Sequence, residues 1–135
     1  MRCNFVDSQH GLFKLLIEEE DEYGFTALHY ATKGGSSLLG VTRDLLANGA
    51  NCLRQNGTRE TPLHLAARQG CVATVESLLS TDHGLWSMNT SDAEGRTPLH
   101  IAAEHAHSPV VALLIAKGSS FHRYASFTPA ICHLR

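Results

Sequence analysis

The sequence TPLHIAA at residues 97–103 recurs as TPLHLAA at residues 61–67, and a looser copy, TALHYAT, occupies residues 26–32. A fourth copy, which breaks off after its Thr-Pro pair, begins at Thr128. The four threonines lie about 35 residues apart, and self-similarity at a period of this size is typical of repeat architectures. The chain of 135 residues is therefore predicted to be one domain of stacked repeats.

Each copy of the motif combines local signals for the start of a short helix. The threonine hydroxyl accepts a hydrogen bond from a backbone N–H of the first turn, and proline is tolerated at the first helical position. Leu63 and Leu99 supply apolar bulk, and the alanine pairs let a neighbouring helix approach closely. Gly70 suits a left-handed helix end. Because so short a helix cannot bury its apolar face alone, each copy needs a stacked neighbour.

The threonine-proline-leucine-histidine-x-alanine pattern at this period is the signature of ankyrin repeats, and over about residues 21–130 the chain resembles an ankyrin-repeat protein. The resemblance implies an all-α fold, an ankyrin-repeat solenoid of stacked helix-turn-helix units. In such a solenoid β-hairpin-like turns project to one side.

The resemblance also implies a division of the chain. A partial capping helix is expected over residues 1–20, a first repeat over 21–55, a second over 56–91, a third over 92–122 and a truncated fourth over 123–135. A helix that ends near residue 33 is predicted after the first motif threonine, and further helices are predicted over residues 38–47, 62–69, 73–80 and 109–117. Gly118 is expected in the turn that closes the third repeat.

Two features of the second repeat depart from the family pattern. Arg59 stands where the turn usually has glycine, and the connection over residues 80–89 is longer than the usual closure. That connection contains Trp86, which either contacts a partner or folds back to cover its own loop.

Composition excludes several classes of protein. The formal charge is −2 without a cluster of basic residues, so no nucleic-acid partner is expected. No apolar stretch approaches the roughly 20 residues of a membrane helix, and the first residues lack the apolar core of a signal peptide. An intracellular, cytoplasmic location is therefore expected. The four scattered cysteines (Cys3, Cys52, Cys71 and Cys132) are predicted to be reduced thiols.

The nine histidines invite a metal hypothesis. His29, His64 and His100 occupy equivalent positions one repeat apart, about 10 Å by helix-packing distances, which is too far to share an ion, and the resemblance gives this histidine a structural role. His105 and His107 do not converge with His100 on one helical face. No phosphate-binding loop or nucleophile motif is present either. We predict no catalytic residue, no metal site and no cofactor.

The resemblance implies that a protein partner contacts the tips of the turns and the exposed side of the first helices. The residues of this chain at those positions are Tyr23, Phe25, Lys33, Arg68, Gln69, Glu94, Arg96 and Glu104. Of these, Tyr23, Phe25, Arg68 and Arg96 are the expected anchors, because aromatic and arginine side chains are enriched at interfaces.

The expected function is a non-catalytic protein-interaction module, a scaffold or adaptor whose partner the sequence does not identify. Two alternatives stay open. In the first, the chain is a cytosolic ankyrin segment of a larger membrane protein such as an ion channel. In the second, it is a metal or redox module, which the nine histidines and four cysteines would favour.

Overall fold

The computed structural model of the chain describes residues 16–81 and 83–124. Most of the predicted N-terminal partial helix and of the truncated fourth repeat lies outside these residues, and the boundaries of the repeats stay predictions. Within the described residues the helices are α1 (Ala27–Lys33), a 3-10 turn (Gly35–Leu38), α2 (Leu39–Ala47), α3 (Pro62–Gln69), α4 (Val72–Leu79), α5 (Gly84–Ser87), α6 (Pro98–Glu104) and α7 (Ser108–Tyr124).

Helices α1, α3 and α6 each begin directly after the threonine of a motif copy. The hydroxyl of that threonine accepts the backbone N–H of the histidine three residues later, and the histidine ring accepts the backbone N–H of the threonine. This reciprocal pair is a capping box with histidine in the place of the usual glutamate or glutamine. The predicted helix starts are confirmed, and so is the left-handed end of α3 at Gly70, whose φ is 77°.

The helices stack in two layers. Helix α3 packs between α1 and α6, and α4 packs between α2 and α7. The core between the layers consists of buried apolar side chains, among them Leu28, Leu63, Val75, Leu78, Ile101 and Val110. The predicted side-by-side arrangement of the three motif copies is therefore confirmed. Leu63 is fully buried whereas its equivalent Leu99 is 38% exposed, because in the described part of the chain α6 has a neighbouring first helix on one side only.

A tight turn precedes each first helix and is closed by the side chain at its first position. This side chain accepts the backbone N–H groups two and four residues later, at 2.9–3.0 Å; the three residues concerned are Asp21, Asn56 and Asp92. The fourth position has a positive φ in every case: 81° at Gly24, 63° at Arg59 and 80° at Gly95. Arg59 therefore adopts the left-handed conformation that glycine adopts in the other two turns, and the departure from the pattern changes the residue but not the turn.

The end of the third repeat differs from the prediction. Helix α7 continues through Gly118 to Tyr124, so the expected closing turn at Gly118 is wrong. A glycine permits a left-handed helix end but does not impose one. Gly49, after α2, has a φ of 88°, whereas Gly118 is helical.

The long connection after α4 also differs from an extended loop. It contains the one-turn helix α5, on which Trp86 is 58% exposed. Both interpretations of Trp86, contact with a partner and folding back to cover its own loop, stay predictions.

Candidate partner-binding surface

The tips of the three turns lie side by side and are joined by backbone hydrogen bonds. The N–H of Gly57 donates to the carbonyl oxygen of Tyr23 at 2.8 Å, and the N–H of Ala93 donates to that of Thr58 at 3.0 Å. These bonds fix the spacing between neighbouring tips, so the side chains on the tips are presented at set positions.

Histidine rings join α1 and α3 to the turn that follows each of them. Nε2 of His29 lies 3.0 Å from the carbonyl oxygen of Glu60, and Nε2 of His64 lies 2.9 Å from that of Arg96. Because Nδ1 accepts a threonine N–H in each capping box, the network assigns the neutral tautomer with the proton on Nε2. Burial lowers the pKa of both rings and outweighs the opposing effect of the carbonyl acceptors.

Both nitrogens of these two rings are used within the protein, which gives them a structural role. A further hydrogen bond joins Nε2 of His107 to the carbonyl oxygen of Arg68 at 2.9 Å. The sequence did not predict it. In the described part of the chain no three histidine, cysteine or acidic side chains are grouped so as to hold a metal ion. Cys52 and Cys71 are both free thiols.

A depression of about 660 Å³ lies between the first two turns and the exposed side of α1 and α3. Four of the eight predicted contact residues line it: Tyr23, Phe25, Lys33 and Arg68. Leu65, which the sequence analysis did not single out, belongs to its lining and is itself almost fully buried. A volume of this size is in the range of ligand sites, which are about 300–1,000 Å³.

The cations of the depression have partners within the protein. The Lys33 ammonium lies 5.6 Å from the centre of the Phe25 ring, a cation–π contact. The Arg68 guanidinium pairs with the Glu60 carboxylate. Burial alone raises the pKa of Glu60, but the hydrogen bond and charge of Arg68, together with Asn56, outweigh it and hold that pKa below its usual value. Glu60 is therefore ionised near neutral pH.

The remaining predicted contact residues lie beyond the depression. Gln69 is exposed at the end of α3. Arg96 contacts three carboxylates: its guanidinium nitrogens lie 3.1 Å from an oxygen of Asp92, of Glu94 and of Glu104. We call these four residues the Arg96 cluster.

Asp92 anchors the Arg96 cluster. Burial raises its pKa, but the backbone N–H groups of Arg96 and Glu94 and the Arg96 guanidinium outweigh that effect, so the pKa stays below its usual value. The prediction named Arg96 as a binding anchor on the basis of its residue type. The structure places it inside a network of acceptors from its own turn and the following helix, a pairing that residue type alone does not show.

Among residues 16–81 and 83–124, none of the helices combines the length and apolar character that crossing a bilayer requires.

Comparison with known proteins agrees with this architecture. Residues 38–125 match the family model for ankyrin repeats in three copies. The human "Transient receptor potential cation channel subfamily A member 1" is 36% identical over 121 residues, which are 90% of this chain and 10% of that protein. Its Drosophila melanogaster counterpart is 41% identical over 110 residues, 82% of this chain and 9% of that protein. Mouse Rabankyrin-5 is 49% identical over 57 residues, 42% of this chain and 5% of that protein. The chain thus spans about a tenth or less of the length of these curated relatives.

Proposed function

The chain belongs to the ankyrin-repeat family, whose repeats are protein-interaction modules, and on that premise we propose that it binds a protein partner at the turn tips and the exposed side of α1, α3 and α6. The depression between the first two turns carries this proposal, since Tyr23, Phe25, Lys33 and Arg68 all line it. Tyr23, at its edge, is 64% exposed, and tyrosine is among the residue types that most often dominate binding energy.

The mechanism is the presentation of contact side chains to a partner from a rigid stack of turns and helices. Backbone hydrogen bonds join the tips to one another, and histidine rings join α1 and α3 to the turn that follows each of them. A partner that docks on such a surface orders few receptor groups, so less of the interaction energy is lost to entropy. The family is generally non-enzymatic, and we propose that this chain too acts by binding and not by catalysis.

The contacts of each predicted anchor decide which variants are suitable for a test. Arg96→Ala would leave the buried carboxylate of Asp92 without its guanidinium partner, so loss of binding would be mixed with loss of stability. Tyr23 and Lys33 are both exposed and make better probes. Lys117, exposed on α7 in the other layer, provides a control with the same change of charge.

The test compares capture of proteins from a cell extract by three forms of the chain. We expect a protein captured by the natural chain to be retained by Lys117→Glu and lost by the double variant Tyr23→Ala, Lys33→Glu, with thermal midpoints that agree within a few degrees. Capture of the same protein by the double variant would refute the proposed surface.

A second candidate is that the chain is one segment of a larger membrane protein, a cation channel. The relatives named above favour it, because two of them are cation channels and the match covers only 10% and 9% of their lengths. In that arrangement the repeats lie on the cytoplasmic side. Sequencing of full-length transcripts tests this: an open reading frame that continues past Arg135 into membrane-spanning segments is expected. A stop codon directly after Arg135 in every transcript would exclude the candidate.

A further inference from the structure

The depression and the Arg96 cluster adjoin each other but differ in charge. The depression is lined by two carboxylates, Glu22 and Glu60, and by two cations, Lys33 and Arg68, so its charges cancel. Its remaining lining is largely apolar and includes Tyr23, Phe25 and Leu65. A side chain that enters it displaces water from apolar surface and meets no excess of either charge, which favours an uncharged apolar group.

The Arg96 cluster has an excess of negative charge. One guanidinium faces three carboxylates, and the side chains of Glu94 and Glu104 are 72% and 50% exposed. Each carboxylate has about four acceptor positions, so both retain acceptor capacity on the side that faces solvent. A partner lysine or arginine placed there would find complementary charge, whereas a partner carboxylate would be repelled.

A backbone hydrogen bond holds these surfaces at a fixed separation. Thr58 lines the depression, and its carbonyl oxygen accepts the N–H of Ala93, in the turn of the Arg96 cluster, at 3.0 Å. Neighbouring stacked helices are about 10 Å apart, and an extended chain advances about 3.3 Å per residue. One repeat therefore corresponds to about three residues of an extended peptide.

Building on the function proposed above, we propose that the partner presents an extended segment with an apolar side chain in the depression and a lysine or arginine about three residues away against Glu94 and Glu104. The apolar residue provides most of the buried area, and the basic residue fixes the register of the segment along the turn tips. The preferred ligand is a basic amphipathic peptide.

The test uses random twelve-residue peptides displayed on phage and selected on the immobilised chain. We expect selected sequences to carry an apolar residue and, about three positions from it, lysine or arginine. In fluorescence anisotropy, replacing that basic residue by serine should weaken binding about two- to fivefold, the range expected for a charge pair at an exposed site. The double variant Glu94→Lys, Glu104→Lys should bind the serine peptide at least as tightly as the basic peptide, because the reversed charges repel the basic residue. Glu76→Lys, a charge reversal of the same type at an exposed position on α4 in the other layer, is the control and should behave as the natural chain.

The outcomes separate this inference from the function on which it rests. If Tyr23→Ala weakens the selected peptides but the basic residue is unimportant, the surface stands and the inference fails. If selected peptides carry acidic residues at that spacing, or still prefer the basic residue when Glu94 and Glu104 are reversed, the inference also fails. Peptides that bind without loss to Tyr23→Ala, or a library that yields no binder, would count against both.

Discussion

Thr42 offers a direct test of the packing in the outer layer. Its side chain is fully buried in α2, and its hydroxyl has no hydrogen-bond partner among the described residues. The equivalent positions in α4 and α7 are Val75, which is also fully buried, and Val111, which is partly buried against the core. The substitution Thr42→Val therefore keeps the shape of the side chain and removes a hydroxyl that lost its water on folding.

The expected effect is a gain in stability. A buried polar group without a partner costs about 1–3 kcal/mol, and the added methyl group is worth up to about 0.8 kcal/mol of burial. A small cost from imperfect repacking offsets part of this, so we expect a gain of about 1–2 kcal/mol in the free energy of unfolding. For a chain of this size that is a rise of about 4–8 °C in the thermal midpoint.

Urea unfolding followed by circular dichroism measures the change, with the slope checked for constancy between variants. Thr32→Val is the matched control, because Thr32 is equally buried but its hydroxyl donates to the carbonyl oxygen of His29 at 2.9 Å. The control should lose about 0.5–1.5 kcal/mol. Equal changes in the two variants, or a loss of stability for Thr42→Val, would refute the reasoning.

Three further predictions concern backbone strain, pH and metal. Arg59→Gly should raise the free energy of unfolding in urea by about 0.5–1 kcal/mol, because it relieves the strain of an arginine in the left-handed conformation. Gly24→Ala should lower the free energy of unfolding by more than that, because the added Cβ would lie 2.9 Å from the backbone nitrogen of Gly57. Shifts that are equal in size and opposite in sign would argue against this clash. Burial lowers the pKa of His29 and His64 below 6.5. The neutral rings therefore stabilise the fold fully above pH 6.5, and this contribution is lost as the pH falls below that value. A thermal midpoint that does not change between pH 7.5 and 5.5 would contradict this. Incubation with a chelator should leave the thermal unfolding curve unchanged. A fall in the thermal midpoint would instead support a bound metal ion.

The helix starts and the stacking order were predictable from the sequence because their causes are local and periodic. Thr61 caps α3 through groups within three residues of it, as the same residue type does in α1 and α6. The burial of Leu63 and the exposure of Tyr23 follow from the position of each in the repeat.

What only the tertiary structure decided depends on how each turn meets the helix that follows it and on how neighbouring repeats pack. Pairing of Arg68 with Glu60 and of Arg96 with Glu104 is fixed by how a turn folds over its helix, which residue type does not reveal. The continuation of α7 through Gly118 was likewise not predictable from the sequence, because glycine tolerates both a helical conformation and a left-handed helix end. The sequence by itself determined a line of capped helices that must stack. The acidic Arg96 cluster forms where one turn meets the helix that follows it. The neutral depression exists only once stacking has brought Glu22 and Lys33 beside Glu60 and Arg68.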